Sequence, residues 1–349
     1  MTDKPIRSLV FVGPLEYGQV ALRRAELFER AGWSVRRVNT AAISRQYNIL
    51  DRRLAQTYFT GPVIAALDHA IAFATADLPK GAIVFFDKPI YVRPSTIVRL
   101  NRQGLKTVSY MPDDPFGPRR DGVWRLFRQC LPLFDLHIVP RTASIEDFNR
   151  RGAKHTVKVS FSFDPHAHFP PPAGGLEQGR EFSYIGSPHE RRPEFLAELH
   201  RRLTAKGVPL SIAGPNWDHR RHRQYRKAFH AGPALWGEDY RNAIWHSKAS
   251  LAFLTRLNRD EISHKAIEIA ACGRPPVLEP SPEHQKLLKD GESAIFFSNI
   301  SECADKLEFY WSRPEVLYMM GLEAAKAVRL ADQSEERIVR VLELFASDA

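Results

Sequence analysis

A lysine and a glutamate three residues apart, Lys265 and Glu268, stand in the stretch ISHKAIEIAACGRPPVLEP at 262–280. On a helix that spacing puts both side chains on one face, with Glu268 about one turn deeper than Lys265. Ser263 precedes the pair as a good N-cap, and Gly273 follows as a stop. Just upstream, KASLAFL reads as a buried strand and TRLNRDEI as its polar connection. Strand, loop and helix N-terminus is an arrangement that binds phosphate, because first-turn N–H groups and the positive end of the helix dipole both favour an anion. A nucleotide diphosphate against this tip would meet Lys265 with its phosphates and Glu268 with its ribose hydroxyls. The same Lys-x-x-Glu also suits a solvated helix face, as an ion pair worth only about 0.2–0.5 kcal/mol. The elements around the pair decide between the two readings.

Those elements alternate. Short β-branched or aromatic runs, SLVFV, SVRRV, AIVFF, KTVSY, DLHIV and HTVKVS, are separated by helical patterns such as QVALRRAELFERAG, which predicts a parallel sheet flanked by helices up to about residue 160. The Pro- and Gly-rich passage FSFDPHAHFPPPAGGLEQGRE reads as a linker. Alternation then restarts with EFSYIG, PLSIAG, KASLAFL, PPVLE and SAIFF, interleaved with helices near 192–206, 238–246, 263–272 and 281–289. Three helices follow from about 300, the last placed to pack back on the first domain. A length of 349 residues favours two domains. The boundaries read as 1–165 with 332–349 for the first, and 175–330 for the second. Two open α/β units of this kind are expected to bind ligands in a cleft at the carboxyl ends of their strands.

Other residues offer chemistry at those same ends. GPLEYGQ follows the first strand, and its Gly13, Tyr17 and Gly18 form either an acceptor-facing loop or a plain strand-to-helix turn; the dinucleotide fingerprint spacing is missing. Asp113 and Asp114 in YMPDDPFGPRR supply either a general base or an Asp-Pro turn. Adjacent aspartates point apart, and no metal is expected. His166 and His168 in FDPHAHF resemble metal ligands but have no further ligands nearby. The basic run DHRRHRQYRKAF, 218–229, reads as a solvated face rather than a nucleic-acid surface, since only Tyr225 interrupts it.

Composition narrows the class. With 44% hydrophobic and 26% charged residues the chain reads as soluble and globular, lacking a run of about 18 apolar residues. MTDKPIRSLVFVGPLEYG has no secretory pattern, so a cytoplasmic location is expected. Cys130, Cys272 and Cys303 fit neither a disulfide framework nor a zinc site. The net charge of +10 favours anionic partners of any kind, an acidic membrane surface included.

KAIEIAACGRPPV resembles the donor-nucleotide segment of the group 1 glycosyltransferases. YIGSPHERRPEFLAEL, WGEDYRNAIWHSKASLAFL, HKAIEIAACG and LLKDGESAIFFSNISECADKLEFYWSRPE, in that order over about 180–330, are similar to its spore-maturation (CgeB-like) branch. The resemblance implies a GT-B fold of two Rossmann-like α/β domains, with a nucleotide-sugar donor on the C-terminal one and an acceptor on the N-terminal one. It maps Glu268 to the ribose, Lys265 to the diphosphate, and Gly186, Ser187, Arg191 and Arg192 to the phosphates from the opposite side; Ser263 and His264 count with them as donor-binding, and Asp260, Asp113 and Asp114 as the catalytic candidates. Where many relatives have a second Glu separated from the ribose Glu by seven residues and facing the donor sugar, this chain has Asp260, with Glu261 beside it. The implied activity is retaining, metal-independent transfer to a saccharide, lipid-linked, small-molecule or protein acceptor, with no cofactor beyond the nucleotide sugar. A non-catalytic nucleotide-sugar binder and a basic nucleic-acid or membrane-surface binder are the alternatives.

Overall fold

The computed structural model describes residues 7–118, 122–172 and 179–347. The first six residues, residues 119–121, the middle of the linker at 173–178 and the last two residues lie outside the described residues. The chain forms two compact units: 1–160 with 257–259 and 336–349, and 161–256 with 260–335. Relative to the boundaries read from sequence, the first parting falls a few residues earlier and the return a few later. The detachment of 257–259 from its sequence neighbours was not foreseen.

The first unit is built on a six-stranded parallel sheet of order β2-β1-β3-β4-β5-β6. Its strands are β1 (Ser8–Gly13), β2 (Ser34–Asn39), β3 (Ile83–Asp87), β4 (Lys106–Tyr110), β5 (Leu136–Val139) and β6 (Thr156–Lys158). Central strands covered by helices on both faces must be apolar throughout, and β1 and β3 are buried along almost their whole length. The Glu336–Ser347 helix belongs to this unit: Ile338, Val339 and Leu342 join the core of Leu9, Phe11, Ala21 and Ala25. Arg7 pairs with Glu343 at 2.5 Å, and Lys106 Nζ donates to the Phe345 carbonyl at 2.7 Å. Between β2 and β3 lie the Thr40–Arg45, Ile49–Tyr58 and Pro62–Thr75 helices, the first two capped by the side chains of Asn39 and Asn48.

The second unit carries β7 (Glu181–Ile185), β8 (Leu210–Ala213), β9 (Ser247–Ala252), β10 (Pro276–Leu278) and β11 (Ile295–Phe296), all parallel, in the order β11-β10-β9-β7-β8. Each of the eleven apolar runs picked out by pattern is thus a strand. Leu196, Leu199 and Leu203 of the Arg192–Thr204 helix pack in one core cluster with Cys303 and Leu307, while Ala266, Ile267 and Ile269 of the His264–Ala271 helix pack in another with Ala324 and Val328. Small residues let the Pro314–Leu330 helix lie close to the second of these: a Cβ on Gly321 would fall 2.3 Å from the Gly273 carbonyl oxygen. Among the described residues no helix is long and apolar enough to cross a membrane, and all three cysteines are buried free thiols.

Candidate functional site

In the second unit β7 sends its connection to β8 on one side of the sheet order, and β9 sends its own to β10 on the other. Adjacent parallel strands whose crossovers diverge leave a crevice at their carboxyl ends, where open α/β sheets take ligands. The loop after β7 runs from Gly186 to Arg191, and the loop after β9 runs to Ser263.

Gly186 and Ser187, with Gly214, Pro215, Leu235, Trp236 and Lys265, enclose a small cavity of about 120 Å³. Glycine is required on this wall: Gly214 has φ +147°, and a Cβ on it would lie 2.2 Å from the Gly186 carbonyl oxygen. Trp217 Nε1 donates to the same carbonyl at 2.9 Å, fixing the β7 loop from below. At the far end of the loop, Arg191 and Arg192 border a larger pocket of about 800 Å³, which has Phe195, Phe253 and Phe297 as apolar wall and Arg256 at its edge. Arg192 donates to Thr255 Oγ1 at 3.0 Å, so the β7 and β9 loops are tied together. Glu190, the residue just before this arginine pair, is held at φ +53°, a conformation costing a non-glycine residue on the order of 1 kcal/mol.

The His264–Ala271 helix is buried almost all round, and Glu268 is only 4% exposed. A carboxylate in such surroundings needs partners. Tyr240, from the Gly237–Trp245 helix, donates its hydroxyl to Glu268 Oε2 at 2.9 Å. On the other oxygen, His168 Nε2 stands 3.4 Å and His264 Nε2 3.7 Å from Oε1. Lys265 donates to the Tyr240 hydroxyl at 3.3 Å and rests its ammonium 4.4 Å from that ring's centre. Lys265 and Glu268 are therefore linked through a tyrosine. Sequence reading passed over Tyr240, because its helix was legible but the face it presents was not. It saw His168 only as a metal-like histidine.

Ser263 occupies the N-cap position, but its side chain caps nothing. Its backbone N–H donates to Nε2 of the fully buried His284 at 2.8 Å, and His284 Nδ1–H donates to the Glu279 carbonyl at 2.9 Å. Burial holds the His284 imidazole below its usual range, so it stays neutral and accepting. His264 donates through Nε2 to the Ser162 carbonyl at 2.9 Å and stacks on Phe161, fastening the helix tip to the segment after residue 160. Asp260 closes its own loop, with Oδ2 accepting from Thr255 N–H and its N–H donating to the Thr255 carbonyl, both at 3.2 Å.

The first unit holds the remaining predicted residues. Asp113 pairs with Lys88 at 2.5 Å and accepts from Asn258 at 3.1 Å. Burial pushes its carboxyl up, but Lys88, the Asn258 amide and the Arg141 charge together hold it below the usual carboxylate range. An aspartate held ionised in this way is a weak base. Asp114 is buried, accepts a fork from Arg259 at 2.5 and 3.0 Å, and takes the Phe116 N–H at 3.0 Å. This is the Asp-Pro turn, with both carboxylate oxygens occupied. Gly13 ends β1 where a Cβ would meet Asp87 Cβ at 3.0 Å, Gly18 has φ +82°, and Tyr17 is exposed. Asn39 clamps this loop through Leu15, donating to its carbonyl at 2.9 Å.

Two parallel α/β units with this strand order and this crevice define the GT-B class of Rossmann-like folds. The family model described as "Glycosyl transferase-like" matches residues 191–343, most of the second unit. Among solved structures, the chain is similar to the sucrose-phosphate synthase of Thermosynechococcus elongatus (12% identical, TM-score 0.70, 98% of each chain covered). It is similar as well to HepE of Anabaena solved with UDP-glucose (12% identical, TM-score 0.64, 97% of this chain and 99% of that one). A further likeness is to a mutant of S. aureus TarM in complex with Fondaparinux, alpha-GlcNAc-glycerol and UDP (14% identical, TM-score 0.59, 80% of this chain). The chain spans 59% of that protein's length. By sequence, no curated protein matches the chain.

Proposed function

We propose that this protein transfers a sugar from a nucleoside-diphosphate donor to a hydroxyl-bearing acceptor, with the donor held by the second unit. The observation that carries this is the Lys265–Tyr240–Glu268 assembly on the first turns of a helix at the switch point of a parallel sheet, inside the segment that matches the glycosyl transferase-like family. In this reading Glu268 receives the ribose hydroxyls. Lys265, the helix tip and the Arg191–Arg192 pair stabilise the departing diphosphate as oxocarbenium character builds on the sugar. Those charges take the place of a metal, and no cofactor is needed beyond the donor. Asp260 faces the donor sugar, retention is the stereochemical outcome, and the spore-maturation branch is the finer family placement. The acceptor is a saccharide, and UDP is the first nucleotide to try because HepE was solved with UDP-glucose.

A thermal-shift panel of UDP, GDP, dTDP and their sugars tests the reading. A ligand at 100 times its Kd stabilises by about 2.7 kcal/mol, and one nucleotide series should do so. If no member shifts the transition, the donor reading fails. Release of nucleoside diphosphate in a coupled assay then separates a transferase from a non-catalytic binder.

We also propose a cytoplasmic protein that meets an anionic membrane surface through the Ile49–Tyr58 helix. Ile49, Leu50, Leu54 and Tyr58 are all exposed there beside exposed Arg53, an apolar and basic combination that suits such a surface. Nucleic acid is not an expected partner. In the basic run, Tyr225 is engaged with Glu194 and His222 is buried.

A further inference from the structure

We infer that His168 is a positioning residue for Glu268, holding its carboxylate at the angle from which it receives the donor ribose. This rests on the donor reading above. His168 is 1% exposed and lies in the segment leading into the second unit, far in sequence from the helix it serves. A tight turn holds it: the Asp164 carbonyl accepts from Ala167 N–H at 3.1 Å and His168 N–H at 2.8 Å, and Asp164 Oδ1 accepts from His166 N–H at 2.9 Å. The turn is anchored in its own unit by Phe163, whose N–H donates to the Gln333 carbonyl and whose carbonyl accepts from Glu335 N–H, both at 2.9 Å.

The turn also sets the ring's tautomer. His168 Nδ1 accepts the Asp164 backbone N–H at 3.2 Å, so the proton of the neutral imidazole sits on Nε2, the nitrogen 3.4 Å from Glu268 Oε1. The second imidazole nearby does not duplicate this, because His264 directs its Nε2–H to the Ser162 carbonyl at 2.9 Å. Tyr240 holds the opposite oxygen and packs edge-on against the His168 ring, with centroids 6.1 Å apart. Glu268 is thus approached from two elements outside its own helix, by the Tyr240 hydrogen bond on one oxygen and by the His168 Nε2 contact at 3.4 Å on the other. In so dry a site an N–H this near a carboxylate acts with little screening. Other titratable groups facing Glu268 among the described residues include His264 and Lys265 on its own helix, the latter through Tyr240, and the buried Cys272, whose thiol is pushed up by burial and then by the Glu268 charge.

The test uses the full chain, calorimetric titration with the nucleoside diphosphate that stabilises best in the panel, and inorganic pyrophosphate in parallel. His168→Phe keeps a ring and loses the N–H; His168→Gln keeps a donor near the Nε2 position. We expect His168→Phe to weaken nucleotide binding about tenfold with pyrophosphate binding unchanged, KM for the donor to rise with little change in kcat, and His168→Gln to recover most of the loss. Proton-detected ring spectra should show His168 as the Nε2–H tautomer, with a shift that moves on Glu268→Gln, a readout available even if the Phe variant folds poorly. Nucleotide affinity unchanged in His168→Phe, loss of nucleotide and pyrophosphate binding together, or an Nδ1–H tautomer would each overturn the inference. A wild-type chain that binds no nucleotide would instead overturn the donor reading on which it rests.

Discussion

Replacing Glu268 by Gln is the sharpest probe of the proposed donor site. The change keeps the side chain's shape in a position only 4% exposed, so it avoids the cavity that alanine would leave. Tyr240 can still donate to the remaining carbonyl oxygen, which retains the 2.9 Å bond. What disappears is the negative charge and one acceptor, replaced by an NH₂ facing the 3.4 Å approach of His168. A hydrogen bond to a charged group contributes about 1.5–3 kcal/mol and one to a neutral group about 0.5–1.5. Taking the weak end of the charged range, a ribose diol that makes two bonds to a carboxylate, about 3 kcal/mol, and one to an amide, about 1, loses about 2 kcal/mol. At 1.4 kcal/mol per decade this is roughly thirtyfold in Kd. Titration of wild type and Glu268→Gln with UDP and with pyrophosphate reads the effect directly. UDP should weaken by about that factor and pyrophosphate by less than about twofold, since Lys265 and the helix tip are untouched. Equal UDP affinity in the two proteins, or an equal loss for pyrophosphate, would refute a ribose-reading Glu268.

Three further outcomes are expected. Arg259 lies between Asp114 at 2.5 Å and Asp147 at 2.6 Å. Arg259→Ala should cost about 2–3 kcal/mol, below the 3–5 of a fully buried pair because the guanidinium is partly exposed, and lower Tm by about 5–10 °C; an unchanged melting curve would show that the pairs contribute nothing. His137 is fully buried between Ser109 Oγ at 2.6 Å and the Leu131 carbonyl at 2.8 Å, and burial lowers its pKa from 6.5 to about 4. Between those values the unfolded chain binds a proton that the folded one does not, so stability falls with pH below 6.5 and stops falling near 4, by about 2 kcal/mol at pH 5. His137→Asn should abolish this part of the dependence, as urea titrations at pH 7 and 5 would reveal. Vesicles of phosphatidylglycerol should sediment the protein, and vesicles of phosphatidylcholine should not. Leu50→Ser with Leu54→Ser should release it, while retention at wild-type level would rule out the Ile49–Tyr58 helix as the contact.

The strands were legible because parallel strands covered on both faces are apolar along their length, and β1 and β3 show this directly. The His264–Ala271 helix was legible from its period, with Gly273 at φ +75° just past its end. What surrounds Glu268 was not. Tyr240 and His168 reach Glu268 from 28 and 100 residues away in the chain, and His284 reaches Ser263 from 21 away, and no local pattern records which side chains meet across a core. Ser263 illustrates the limit: its residue type suits a cap, yet an imidazole from another element takes the backbone N–H instead. The departure of residues 257–259 from their unit is equally silent, for it depends on Arg259 finding two carboxylates more than a hundred residues upstream.

The return of the Glu336–Ser347 helix to the first unit sets an order of assembly. A ribosome delivers the whole of the second unit before Ile338, Val339 and Leu342 arrive to cover the patch around Ala21 and Ala25. The half of the protein made first is consequently finished last, and its bare apolar face needs shelter during synthesis. A nonsense codon near 335 would therefore injure the amino-terminal half while sparing the domain that was translated just before it.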